Sequence, residues 1–157
     1  MHSFTIRAAA PGDANLILML LTGLADYEKL PITLTEKDIA SDFFGPRPVI
    51  ECDLAFEDNI PVGVATYFWT YATFRATRRL YVEDLFVLPT FRGKGYGKAL
   101  LQHLARHGTE AGAGRLEWQV LDWNEPAIRF YESIDAHRTQ WLNFWLEGEA
   151  MQRLAAP

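Results

Sequence analysis

A single cysteine, Cys52, stands in this chain of 157 residues. No internal disulfide can form, and a cytoplasmic location is the default expectation. No apolar run approaches the roughly 20 residues that cross a bilayer, and no basic leader precedes an apolar segment. Neither a membrane partner nor an export signal is therefore expected. Excess positive charge is also missing. The formal net charge is −5, which argues against a nucleic-acid partner and is compatible with a cationic ligand. Repeats and low-complexity linkers are absent, so one domain over residues 1–157 is expected. What is present is ordinary for a folded domain: 49% apolar residues, enough for a continuous core at this length.

The pattern along the chain alternates between two periods. Ser3–Ala8 reads as a short strand before the turn Pro11-Gly12-Asp13. Leu16, Ile17, Leu20, Leu21 and Leu24 recur at helical spacing and predict a helix ending near Tyr27-Glu28. Thr35-Glu36-Lys37-Asp38 has the form of a capping box before a shorter helix. Strands are predicted over Val49–Glu57 and Ile60–Tyr71, joined as a hairpin at Asp58-Asn59. Arg79–Leu88 is apolar on both faces except at Glu83-Asp84, the mark of a central strand interrupted by two acids. A helix carrying Leu100, Leu101 and Leu104 follows. Then come a strand through Leu116, Trp118 and Val120, a helix from Asn124, an aromatic strand over Gln140–Glu147 and a helical turn over Glu149–Leu154. This order predicts an α/β (α+β) fold: a mixed, mostly antiparallel sheet with helices on both faces.

Arg92-Gly93-Lys94-Gly95-Tyr96-Gly97 lies between the central strand and the helix after it. Glycines let a backbone approach an anion and turn its N–H groups toward it. The helix that follows adds the positive end of its dipole, and Arg92 and Lys94 add charge. A pyrophosphate is the natural guest. The dinucleotide fingerprint needs a further glycine where Lys98 stands, and no Walker A pattern occurs.

Arg92-x-x-Gly95-x-Gly97 after a strand resembles the acetyl-CoA signature of the GNAT acetyltransferases. Glu83-Asp84-Leu85-Phe86-Val87, Trp123-Asn124-Glu125-Pro126, Phe130-Tyr131, Tyr27-Glu28 and Leu34-Thr35-Glu36-Lys37-Asp38 resemble its spermidine/spermine (diamine) acetyltransferase branch. The resemblance implies a GNAT-type sheet and acetyl-CoA as co-substrate with no metal. It also implies a small amine as acceptor and a homodimer. By the same likeness, Leu85, Phe86 and Val87 pair with the pantetheine arm, and Gly93, Lys94, Gly95, Tyr96, Gly97 and Lys98, with Arg92, hold the pyrophosphate. Asn124, Glu125, Pro126 and Ala127 line the far side of the cofactor, and Tyr131 sits near the thioester sulfur. Tyr27, Glu28, Glu83, Glu117, Trp118 and Gln119 line the amine pocket.

The chemistry gives these residues work. An alkyl ammonium has a pKa of about 10.4, so generating the neutral nucleophile at pH 7 costs roughly 4–5 kcal/mol. Glu83 is the expected base, directly or through a water, with binding of the cationic acceptor as its other reading. Tyr131, a phenol with an ordinary pKa of about 10, is the expected proton donor to the departing thiolate. Transfer is expected to be direct, without an acetyl-cysteine at Cys52.

Other readings of the same residues stay open. Asn124 also reads as a helix N-cap and Tyr131 as a core residue. Glu83 and Asp84 could pair with Arg79 or Arg92, and His103 and His107 read as surface histidines, not zinc ligands. The chain departs from the family at Ile134 and Asp135, where a basic residue and a glycine are usual. Arg75, Arg78 and Arg79 in the loop near Ala72–Arg78 disfavour a long polycation. A non-catalytic CoA-binding module and a protein or peptide acetyltransferase are the alternative functions.

Overall fold

A computed structural model describes residues 2–156. The chain divides into two compact units, one ending at Gln119 and the other starting at Val120.

The first unit is built on a five-stranded sheet in the order β1-β2-β3-β4-β5, comprising Phe4–Ala8, Glu51–Glu57, Ile60–Ala72, Thr77–Val87 and Arg115–Trp118. The first four strands pair antiparallel and β5 pairs parallel with β4. Two parallel neighbours need a crossover, and α3 (Tyr96–Glu110) supplies it. The hairpin between β2 and β3 turns at Asp58 and Asn59, both with positive φ (48° and 67°), the left-handed pair that two-residue hairpins prefer.

Helices cover both faces of the sheet, as expected. On one face, α1 (Ala14–Glu28) and α2 (Glu36–Asp42) bury Ile17, Leu20, Leu21 and Ile39 against Leu54, Phe56, Val64 and Phe86. On the other, Leu100 and Leu104 of α3 pack on Val62, Ala65, Tyr67, Leu80, Val82 and Val87. Fully burying one such aliphatic side chain is worth about 1.5–3 kcal/mol, so these two layers fix where the ends of β4 lie. The capping box of α2 is formed: the Thr35 hydroxyl accepts from Asp38 N–H, and the Asp38 carboxylate accepts from Thr35 N–H.

The second unit holds α4 (Glu125–Ser133) and α5 (Gly148–Ala155). Two expectations change here. Residues 140–147 form no strand, and β5 stops at Trp118, short of Val120. Trp141, Leu142, Phe144 and Trp145 alternate with polar residues poorly and lie 79–92% exposed, so their aromatic content marks neither a strand nor a core in this chain. Asp135 explains its own substitution. It ends α4 at φ 61°, with Ala136 N–H returning to the Tyr131 carbonyl. That is the left-handed C-terminal position that usually selects glycine.

Candidate active site

The register of β4 places the two acids. Thr66 pairs with Asp84 and Tyr67 with Val82, so Glu83 is an extra residue in a β-bulge. A bulge bends its strand and re-aims the side chain at the kink, and Glu83 keeps solvent access between the buried Val82 and Phe86. The strand on the other side gives out at the same point. β5 pairs β4 only from Arg79 to Val82, ending at Trp118, so from Glu83 to Val87 the β4 edge has no β5 partner. Backbone amides on such an edge offer a ladder to an extended ligand.

Two other carboxyls of this unit feel the charge of Asp84. Asp84 accepts the Thr66 hydroxyl, yet burial raises its pKa above the usual range. Glu83 and Glu28, the last residue of α1, are raised as well, first by partial desolvation and then by the charge of Asp84. Like charges held together in low dielectric are relieved by a cation, so this trio suits an ammonium group. None of the three takes Arg79 or Arg92 as its partner. Arg79 lies 3.4 Å from Glu117, and Arg115 lies 2.8 Å from the same carboxylate. Glu117 is thereby neutralised by two guanidiniums, which weakens its standing as an amine ligand. Gln119 is exposed just beyond β5, and Trp118 is half-buried opposite Val82.

The glycine-rich loop begins after a short 3-10 turn, Pro89–Phe91. Gly93 and Gly95 have φ of 80° and 83°, and a Cβ built on either would meet nothing within 4 Å. Glycine is therefore favoured for its conformation, and the space in front of the loop is open. Gly95 is also the N-cap of α3 and supplies no side-chain cap, which leaves first-turn N–H groups of that helix facing outward for an anion. The room at Gly97, 3.9 Å from Leu85 to a notional Cβ, ties the helix start to the β4 edge.

The two charges beside the loop are engaged by the protein. Arg92 Nε donates to the Val87 carbonyl at 3.0 Å, with its guanidinium 4.5 Å from the Tyr27 ring centre and 5.5 Å from that of Phe86. Lys94 Nζ bonds both oxygens of Glu57, at 2.8 and 2.9 Å. Sequence reasoning assigned both cations to the pyrophosphate and missed Glu57, which reads there only as an acid at a strand end. Within the protein, both side chains brace the loop. The structure thus joins Tyr27, Phe86, Val87 and Arg92 in one cluster and Glu28, Glu83 and Asp84 in another.

In the second unit, Asn124 is buried and its side chain accepts from Ala127 N–H at 3.4 Å, so it caps α4. Pro126 sits in the first turn beside Glu125. Tyr131 is half-buried, its ring 5.4 Å from that of Phe130.

Cys52 is buried, and burial together with Asp53 and Asp84 pushes its thiol up, away from the reactive thiolate. His103 Nε2 lies 2.9 Å from Asp53, and His107 packs against Tyr67 and Trp69. Both histidines are half-buried in the sheet–α3 layer instead of lying on the open surface as expected.

An open strand edge ending in an uncapped, glycine-rich helix start fits a long ligand with a pyrophosphate. Comparison with known proteins agrees. Residues 21–135 match the Acetyltransferase (GNAT) family. The chain is 35% identical to the thialysine N-epsilon-acetyltransferase of Bos taurus, over 96% of each chain. It is 33% identical to that of Sus scrofa, over 99% of each. Among solved structures it resembles an integron cassette protein from the mobile metagenome of V. cholerae, with a TM-score of 0.84 and 27% identity over 99% of each chain. No helix among the described residues is long and apolar enough to cross a membrane.

Proposed function

The chain belongs to the GNAT acetyltransferase family and is an N-acetyltransferase, and from that premise we propose that it acetylates the side-chain amine of a small amino acid, with acetyl-CoA as donor. The observation that carries this reading is the Glu83 bulge at the point where β4 and β5 part. It sets a raised carboxyl beside a free strand edge that leads to the phosphate loop.

When bound, acetyl-CoA supplies an activated acetyl thioester. Leu85, Phe86 and Val87 would hold its pantetheine arm through main-chain bonds, and the amides from Gly93 to Lys98 its pyrophosphate. Glu28 and Asp84 attract the acceptor's ammonium. A Glu83 carboxylate oxygen takes the ammonium proton, leaving a neutral nitrogen lone pair. Tyr131 holds a phenolic proton for the departing sulfur. Asn124, Glu125, Pro126 and Ala127 would line the cofactor, as the family resemblance implies, and Asn124 caps the start of α4. The amino-acid acceptor is supported by the thialysine enzymes to which the chain is similar. Arginines at positions 75 and 78 in the β3–β4 hairpin favour a substrate with a carboxylate over a polycation.

A turnover screen with acetyl-CoA over thialysine, ornithine, lysine, spermidine and a lysine-containing peptide tests the assignment. The amino acids should have the highest kcat/KM; a preference for spermidine or the peptide refutes the acceptor class. Tyr131→Phe should reduce kcat by about 100-fold, the scale of a lost proton transfer, with the dissociation constant for CoA unchanged. An undiminished kcat would remove Tyr131 from proton delivery.

The exposed Trp141, Phe144 and Trp145 support a homodimer, because large aromatic side chains clustered in sequence are normally covered. Light scattering should give twice the 17.9 kDa chain mass. Loss of that doubling on Trp145→Asp is expected, and a monomeric wild type contradicts the dimer.

A further inference from the structure

The phosphate loop is pinned from two sides. Arg92 fastens its start to α1 and β4 through Tyr27 and Val87. Its other flank converges on Glu57, the last residue of β2, whose side chain is only 8% exposed. Lys94 Nζ bonds both carboxylate oxygens, and the Tyr96 hydroxyl donates to one of them. Tyr96 itself stacks flat on Phe4 of β1, ring centres 4.1 Å apart, and Lys94 Nζ lies 5.1 Å from the Phe91 ring centre. One buried carboxylate thus holds two residues that bracket Gly95.

Ordering a residue costs about 1–2 kcal/mol of backbone entropy, more at glycine, and a loop with two left-handed glycines has many alternatives to the shape in which its amides converge. Fixing that shape before the ligand arrives lowers the cost of binding. We propose that Glu57 is a positioning residue for the cofactor, holding Lys94 and Tyr96 so that the amides from Gly93 to Lys98 stand preformed as a pyrophosphate site. Lys94 acts through Glu57 and not as a free charge on the phosphates. The bonds from Lys94 and Tyr96 keep Glu57 ionised, below the usual carboxylate range. This assignment rests on the reading that the loop receives CoA.

The two ideas about Lys94 differ in sign. If its charge served the phosphates directly, Glu57→Gln would release it and CoA would bind as well or better. If Glu57 positions the loop, the same substitution weakens binding. Calorimetric titration with CoA of wild type, Glu57→Gln, Lys94→Gln and the double variant separates them. Glu57→Gln should raise the dissociation constant about tenfold, the effect of losing a charge-assisted hydrogen bond. KM for the amine and kcat at saturating acetyl-CoA should stay within about twofold, which a general loss of structure would not allow. The double variant should bind no worse than the weaker single variant, because both act through one contact. Tyr96→Phe keeps the stack on Phe4 and removes only the hydroxyl, so it carries the test if Glu57→Gln does not fold. It should weaken CoA several-fold. Wild-type affinity in Glu57→Gln, or in Tyr96→Phe where the former is unfolded, overturns the role of Glu57, as do fully additive losses in the double variant. A wild type that binds no CoA overturns the cofactor reading together with it.

Discussion

Glu83→Gln should lower kcat by about 100- to 10,000-fold, the range spanned by loss of a general base, while CoA binds with wild-type affinity. Gln has the same shape and still accepts hydrogen bonds at the bulge, but it cannot take the ammonium proton. The pH profile gives a second reading. Partial desolvation and Asp84 raise the Glu83 carboxyl, so the basic form is lost as pH falls through a value above the ordinary glutamate pKa of about 4.3. Wild-type kcat/KM should therefore fall on the acid side earlier than an exposed glutamate would allow, and that limb should disappear in the Gln variant.

Stability changes in the opposite sense. A carboxyl raised in the folded state favours folding when protonated, below its unfolded pKa, and this contribution is lost as pH rises through the folded value. At neutral pH the charge on Glu83 beside Asp84 is thus a cost, and Glu83→Gln should melt no lower than wild type. A drop in melting temperature accompanying the loss of rate would point to a structural role instead.

The second large effect is expected at Gly95. Its φ of 83° is one that side chains rarely adopt, β-branched ones least of all, yet a Cβ there meets no protein atom within 4 Å. Gly95→Val should consequently leave the sheet and its two helical layers folded while turning the amides at the start of α3 away from convergence. Losing two charge-assisted amide bonds amounts to about 3 kcal/mol, so CoA should bind at least about 100-fold more weakly. Differential scanning calorimetry together with the titration distinguishes this from unfolding. A folded variant with unaltered affinity would show that the loop does not hold the pyrophosphate.

Much of the site was legible because local chemistry announces it. The Asp58-Asn59 hairpin, the Thr35–Asp38 box, the Asn124 cap and the left-handed glycines each follow from what those residue types do alone. The Glu83 bulge was not legible, because the strand is apolar on both faces and only the packing tells those faces apart. Leu80 and Val82 share the α3 face with Leu85 and Val87, so the buried positions change from even to odd between Val82 and Leu85, and one residue must be extra.

Partners distant in sequence were not legible. Nothing in the sequence near Lys94 or Tyr96 points to Glu57, 37 and 39 residues away, and nothing near Glu117 distinguishes a pocket acid from one claimed by Arg79 and Arg115. The aromatic segment 140–147 misled for a different reason. Tryptophans and phenylalanines have the composition of a strand, but here they do not alternate with polar residues and lie exposed.

The most direct test is an NMR titration of the wild-type protein with CoA, following backbone amides. The amide resonances of Gly93, Gly95, Gly97 and Lys98 should move downfield as they take up hydrogen bonds to the pyrophosphate, together with those of Leu85, Phe86 and Val87 along the β4 edge. Saturable binding that leaves the 93–98 amides in place and shifts another surface would contradict the account at its base.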